Sequence, residues 1–373
     1  MADKKKLLLI CTNSDEAGAP RHVEKIANLF KDIFEVTVIL GGEGRVYQRL
    51  CAVEAIDVIS LSMLKSELHI KDDIASFQNI KRHIKRINPD IVHGHSSKVG
   101  ILIRLLSLFS KHRFIFTVHG WSWRGFSPIK LRVIRVIEKI LFTLSHIDYI
   151  FVSHHTSRES LDAGIRVSAR HHDVIYNSVS IPEKSEKMLG PVMGVVSKFI
   201  IMPARVNPAK NHKLVIKAFN QSDYKGKLVL AGEGTNEASL IESARKWAPE
   251  RVSDILFLGE TSQIISLFRE ADGVFLCSHY EALPISIIEA LALSKKIAAS
   301  HVGGISEILG DNVAGLLCHN ELEEWVQAFN IIEDDLWLEK QRQAAYYYKT
   351  YFSDDIFFAQ LSSFYNANDK VIN

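Results

Sequence analysis

No apolar run in this chain approaches the ~20 residues that an α-helix needs to cross a bilayer, so no membrane-spanning helix is expected. Lys4, Lys5 and Lys6 ahead of Leu7–Cys11 superficially suggest a signal peptide. That apolar stretch is too short and has no small-residue cleavage site, so it reads as a first β-strand. Cysteine is scarce: Cys11, Cys51, Cys277 and Cys318 are scattered, and none forms a C-x-x-C pair. Their spacing argues against a disulfide framework and a structural zinc site, and suits a reducing cytoplasm. The D-x-D pattern is missing as well, since Asp72-Asp73 and Asp334-Asp335 are adjacent pairs in helical contexts. Neighbouring side chains do not share a helix face, so both pairs read as solvated. No short internal repeat or low-complexity tract is visible.

What is present is the balance of a globular protein: 373 residues, 47% hydrophobic and 24% charged. That length is comfortable for two α/β domains. The formal charge of +2 hides an asymmetry. Residues 1–190 hold 28 Lys+Arg against 20 Asp+Glu, a surplus of +8, and the remainder holds 17 against 23. A basic first half favours an anionic membrane surface or an acidic acceptor; drift without function is the alternative. The basic excess is dispersed and shows no reader motif, which speaks against a nucleic-acid role.

Short β-branched or Leu-rich runs alternate with amphipathic stretches along the chain. Leu7–Cys11, Glu35–Leu40, Ile56–Ile59, Ile91–His95, Phe114–Val118 and Tyr149–Ser153 read as buried parallel strands, with helical patterns between several of them. A polar, Pro- and Gly-containing stretch interrupts the alternation, which restarts at Phe199–Pro203 and runs to Gly315–Cys318. The expected organisation is two Rossmann-like, doubly wound α/β domains facing across a cleft. Their expected extents are 1–180 and 197–350, joined by a linker at 181–196. Residues 351–373 form a further helix whose aromatic density suggests packing back on the first domain.

The most informative segment is His279-Tyr280-Glu281-Ala282-Leu283-Pro284, running into Ile285–Ala290. A strand ends, a loop carries Glu281, and a helix starts near Pro284, where proline is tolerated. Free N–H groups at that start suit a diphosphate. Glu281 precedes it, where a carboxylate can accept hydrogen bonds from sugar hydroxyls, and Glu289 lies far enough along the helix to reach a ribose. The bland alternative is an acidic flank and an incidental Glu. Arg205 and Lys210 follow the strand Phe199–Pro203, where ligands bind in open α/β sheets. Two cations there suit a leaving diphosphate, while ordinary solvated side chains are the alternative. Gly232-Glu233-Gly234 is a glycine-rich turn of low specificity.

In this order, Arg205…Lys210, Gly232-Glu233-Gly234, Phe257-Leu258-Gly259 and Glu281-x7-Glu289 resemble glycosyltransferase family 4, retaining enzymes of GT-B fold. In the first domain, Gly18 before His22-Val23 resembles the family's glycine loop near the donor phosphate. Thr117-Val118-His119-Gly120 resembles its T-x-H-G turn, and Ile175-Tyr176-Asn177 the lead-in to its linker. The resemblance implies that Arg205 and Lys210 hold the donor diphosphate and Glu289 the ribose. It puts Glu281 on the donor sugar, His119 near the reacting carbon, and the segment near Gly259 along the base pocket. Leu283 falls within the donor-binding set. Ala282 and Ser178 stand where the family usually has glycine.

On the acceptor side, His95-Ser96-Ser97-Lys98 follows a strand and opens a helix, with Ser96 or Ser97 as a cap. It resembles the H-S-S-K of members that build bacterial surface polysaccharides, and a polyprenyl-diphosphate sugar fits such an anion site. A simple capped helix with an exposed Lys is the alternative. Trp121, Trp123 and Phe126 either meet an acceptor or membrane interface, or are buried. Leu131–Ser145 is a basic amphipathic pattern, a core-facing helix or a peripheral membrane contact.

Sixteen histidines are present, but His93, His95 and the pairs His154-His155 and His171-His172 show no ligand spacing, so hydrogen-bonded or solvated imidazoles are expected. With Arg205, Lys210 and a helix dipole available, no metal or other cofactor is expected. The expected activity is retaining transfer from a nucleotide sugar, UDP-linked by resemblance, to a lipid-linked saccharide. The expected location is cytoplasmic, at the inner leaflet of the inner membrane. A UDP-sugar 2-epimerase of the same architecture is the other reading; it requires carboxylates poised on the C2 proton, for which no dedicated pattern appears.

Overall fold

The computed structural model describes residues 4–67, 69–121, 128–165, 171–182 and 198–367. The chain forms two compact units, Met1–Ile175 with Phe358–Asn373, and Tyr176–Phe357. The stretch read as a linker lies almost wholly outside the described residues.

The first unit holds β1 (Lys6–Cys11), β2 (Glu35–Leu40), β3 (Ile56–Ser60), β4 (Ile91–His95), β5 (Arg113–Val118), β6 (Asp148–Phe151) and β7 (His172–Val174). They form one parallel sheet ordered β3-β2-β1-β4-β5-β6-β7. Successive strand residues point to opposite faces, so a run such as Leu7–Ile10, buried throughout, requires cover on both. Helices supply it. The Gly18–Phe30 helix turns Val23, Ile26, Ala27 and Phe30 inward. The Ile70–Ile87 helix does the same with Ile80 and Ile84, and ends at Asn88 in the left-handed region, φ +50°.

Between the Ser97–Ser107 and Pro128–Leu144 helices lies a buried ion pair, Arg104 Nη1 to Glu138 Oε2 at 2.5 Å. Arg104 also donates from Nε to the carbonyl of Gly100 at 2.8 Å, within its own helix. The chain returns to this unit at Phe358. Phe358 and Tyr365 pack on Phe30 at ring-centre distances of 5.0 and 5.2 Å. Arg113 donates to the carbonyls of Phe364 and Tyr365 at the helix end, a favourable place for a cation.

The second unit holds β8 (Phe199–Pro203), β9 (Lys227–Ala231), β10 (Ile255–Gly259), β11 (Gly273–Leu276), β12 (Lys296–Ser300) and β13 (Leu316–Cys318). These are parallel and ordered β10-β9-β8-β11-β12-β13. An aromatic cluster of Phe219, Phe275, Trp325 and Phe329 covers one side, with Phe275 4.8 Å from Phe329. Each sheet reverses its order once, between β1 and β4 and between β8 and β11. In open α/β sheets ligands bind at the carboxyl ends of strands beside such reversals.

The short edge strand β7 and the Arg45–Cys51 and His154–Asp162 helices were not among the elements read from sequence. β7 shows why: His172 and Asp173 are exposed and only Val174 is partly covered, so no apolar run marks it.

Candidate functional site

The carboxyl ends of β8 and β11 carry the charged residues singled out by sequence. Arg205 is exposed just beyond β8, and Lys210 is partly buried further along the same loop. Backbone bonds tie that loop to the end of β11: Asn211 N donates to Cys277 O at 2.9 Å, and His279 N to Ala209 O at 2.7 Å. Lys210 and Ser278 form an isolated antiparallel bridge. Asn211 then caps the His212–Gln221 helix by accepting from Leu214 N.

This stitching brings Lys210 Nζ onto Glu281 Oε1, although 71 positions separate them. Ser278 Oγ donates to the same oxygen at 2.7 Å. Both contacts fall on Oε1 of Glu281. Behind it lie three groups that sequence reasoning missed. Ser278 N donates to Ser300 Oγ at 2.9 Å, Ser300 Oγ donates to Asn320 Oδ1 at 2.9 Å, and Asn320 Nδ2 donates to Ser278 O at 3.0 Å. One residue from the end of each of β11, β12 and β13 closes this ring. The available signal was positional, a small polar residue at the carboxyl end of a buried strand.

Gly303 was missed too: at φ +60°, a Cβ there would stand 1.7 Å from the carbonyl oxygen of Glu281. Only glycine lets this backbone approach so closely. Gly232 plays the same part for the neighbouring loop, where a Cβ would fall 2.6 Å from Arg205 N. The glycine-rich turn therefore serves close packing against the Arg205 loop.

The Ile285–Ala292 helix starts at Pro284, and no side chain caps it. The Glu281 loop leads directly into this helix start, and the unsatisfied N–H groups of a helix start favour an anion. Leu283 is buried and its carbonyl accepts from Asn177 Nδ2 at 3.2 Å. Glu289 lies on the buried side of the helix. Gly259, φ +72°, ends β10; its N–H donates to Thr235 Oγ1 at 2.9 Å and its carbonyl accepts from Gly232 N at 2.8 Å.

In the first unit, residues beyond β1, β4 and β5 converge. Gly18 opens the helix after β1, and His22 lies one turn along it. His95 Nδ1 stands 3.1 Å from His119 Nε2, and the His22 ring lies 4.8 Å from His119 and 5.4 Å from His95. Burial holds the His119 pKa down at about 4 and pushes that of His95 well below the ordinary value. Both imidazoles are neutral near pH 7.

The His95–Lys98 loop differs in detail from the expectation. Ser96 occupies the cap position with φ +73° and its side chain makes no cap bond; its Oγ accepts instead from Thr12 Oγ1 at 3.1 Å. Ser97 is the first residue of the helix. Lys98 is buried and paired with Asp73 at 2.7 Å, so Asp73 is a partner of Lys98 and not a solvated side chain. Trp121 is buried, its Nε1 donating to Thr156 O at 2.9 Å. Trp123 and Phe126 lie outside the described residues.

Two family models cover these halves: "Glycosyltransferase Family 4" matches residues 17–181, and "Glycosyl transferases group 1" matches residues 195–350. The chain is a family 4 glycosyltransferase. This glycosyltransferase is 24% identical to the O-antigen biosynthesis glycosyltransferase WbnH of Escherichia coli over 332 residues, 89% of this chain and 91% of the relative. It is 25% identical over 283 residues to the UDP-Gal:alpha-D-GlcNAc-diphosphoundecaprenol alpha-1,3-galactosyltransferase of Escherichia coli, covering 70% of this chain and 71% of the relative. Among solved structures, Anabaena Alr3699/HepE in complex with UDP-glucose superposes with a TM-score of 0.79 at 19% identity, covering 97% of this chain and 99% of that one. That likeness is one of fold, and the fold is GT-B.

Proposed function

We propose that this glycosyltransferase moves a sugar, with retention of configuration, from a UDP-sugar to a polyprenyl-diphosphate-linked saccharide in bacterial surface-polysaccharide assembly. The observation that carries the donor half is the Lys210–Glu281–Ser278 cluster beside the uncapped Ile285–Ala292 helix. Lys210, Arg205 and the helix start offer positive potential to a diphosphate, Glu289 is assigned to the ribose, and the backbone at Gly259 to the base. Glu281 Oε2 is assigned to a sugar hydroxyl, with His119 the first unit's contribution to the sugar. The leaving phosphate then takes the acceptor's proton as the oxocarbenium-like state forms, so no protein nucleophile is required. Metal independence belongs to this reading, because the protein's own cations face the developing charge. The names of the sequence relatives support the acceptor class.

The membrane part rests on the Pro128–Leu144 helix. Val133, Val136, Ile137, Ile140 and Leu144 are each between 44 and 54% exposed, while Glu138 and Leu141 face inward. Arg132 and Lys139 are exposed on the same helix. An apolar stripe flanked by cations suits the headgroup boundary of an anionic bilayer. Among the described residues no helix is long and apolar enough to cross a membrane.

The test is a donor screen against undecaprenyl-diphosphate-linked acceptors in EDTA, followed by anomeric analysis of the product. Transfer from one UDP-sugar with a retained anomer is expected. Inversion overturns the mechanism, complete loss in EDTA overturns metal independence, and epimerised UDP-GlcNAc without acceptor overturns the activity.

A further inference from the structure

His95 and His119 lie at the ends of the neighbouring strands β4 and β5, and His22 lies one turn into the helix that follows β1, so three separate segments bring these imidazoles together. We propose that His22, His95 and His119 form a binding site for one divalent transition-metal ion of the zinc class. One ring nitrogen from each lies within 4.8 Å of the other two. Zinc–nitrogen bonds of about 2.0–2.1 Å put tetrahedral ligand nitrogens about 3.3 Å apart. His95 Nδ1 and His119 Nε2 already stand at 3.1 Å, and a His22 nitrogen lies within 4.8 Å of both.

The surroundings point the same way. His95 is fully buried, and its Nε2 has no hydrogen-bond partner. His93 packs on His95 at 4.2 Å, but Tyr365 and Thr117 take its two nitrogens at 2.7 Å each. It therefore forms a wall of the site and not a ligand. Imidazoles without a carboxylate suit zinc, cobalt, nickel or copper and not magnesium. Three protein ligands leave a fourth position to water or an oxyanion.

One consequence rests on the proposed function. A bound ion occupies the His119 nitrogen that the sugar would meet, so occupancy suppresses transfer.

The experiment titrates chelator-stripped full-length protein with Co²⁺, followed by its visible d–d absorption, and then displaces it with Zn²⁺. One equivalent with tetrahedral bands is expected. His22→Gln and His95→Ala should each weaken binding at least tenfold at unchanged far-UV circular dichroism, whereas a His154→Ala/His155→Ala double variant keeps wild-type affinity. His22→Gln retains bulk and serves if His95→Ala fails to fold. Absent bands, or undiminished affinity in His22→Gln, overturn the site. This readout needs no sugar, so it stands or falls apart from the proposed activity. In the second arm, saturating Zn²⁺ should reduce transfer at least tenfold, with EDTA restoring it. Undiminished transfer at full occupancy overturns the inhibition.

Discussion

The two units put different chemistry at the same place in a similar sheet. Beside β8 and β11, the second unit sets Lys210 against Glu281, with Arg205 exposed nearby. Beyond β4 and β5, the first unit sets His95 and His119, whose imidazoles stay neutral near pH 7. A diphosphate needs permanent charge, whereas a site of neutral rings can accept or donate single hydrogen bonds without carrying charge into the interior. The first unit does bury an ion pair, Arg104–Glu138, but in its scaffold. Division of labour between similar sheets is therefore written in the loops after the strands.

Breaking the scaffold charge should give the largest effect. Arg104→Ala leaves Glu138 buried and unpaired, which costs about 3–5 kcal/mol. Replacing both members, Arg104→Met with Glu138→Leu, should restore most of it. Urea denaturation of the three proteins checks this, and equal stability of Arg104→Ala and wild type would refute it. Next comes the donor-side charge. Lys210→Ala removes a cation facing the proposed leaving group and should lower kcat/KM by about 10²–10³. Steady-state kinetics at fixed acceptor checks this; if the loss is less than fivefold, the diphosphate is held elsewhere.

These sites were unequally legible. Arg205, Lys210 and Glu281 stood out because each falls in a loop after a strand-like run and Glu289 because it lies in the helix that follows, and the family resemblance then gave them roles. The Ser278–Ser300–Asn320 ring was invisible, since its members come from three strands and are ordinary residues singly. The pairing of His22 with His95 and His119 was hidden for the same reason: ligand spacing along the chain says nothing of rings gathered from a helix and from the ends of β4 and β5. Lys98 illustrates a third limit. A lysine near a helix start reads as exposed, and only the fold reveals Asp73 beside it.

Acid should separate the units further. The His93 and His119 pKa values are held at about 3 and about 4 by burial, below the ordinary 6.5. The unfolded chain therefore takes up protons first as pH falls. The stability gained by keeping these rings neutral is complete above pH 6.5 and is lost as pH falls towards 4 and then 3. With EDTA present, a loss on the order of 2 kcal/mol between pH 6.5 and 5 is expected. Denaturant midpoints across that range measure it, and His93→Gln should flatten the slope. A wild-type slope of zero would mean that water reaches these rings.

The smallest effect is expected at Lys98, where the acceptor reading and the buried pair make different demands. If an acceptor diphosphate binds at the His95–Lys98 loop, it must compete with Asp73 for the ammonium. Lys98→Ala should then raise the acceptor KM severalfold and leave the donor KM alone. Asp73→Asn frees the same ammonium and should lower the acceptor KM, an effect that a merely structural lysine would not produce. Parallel kinetics with a polyprenyl-diphosphate acceptor and a short neutral saccharide distinguish the cases. A change of equal size for both acceptors would assign Lys98 to the fold, paired with Asp73.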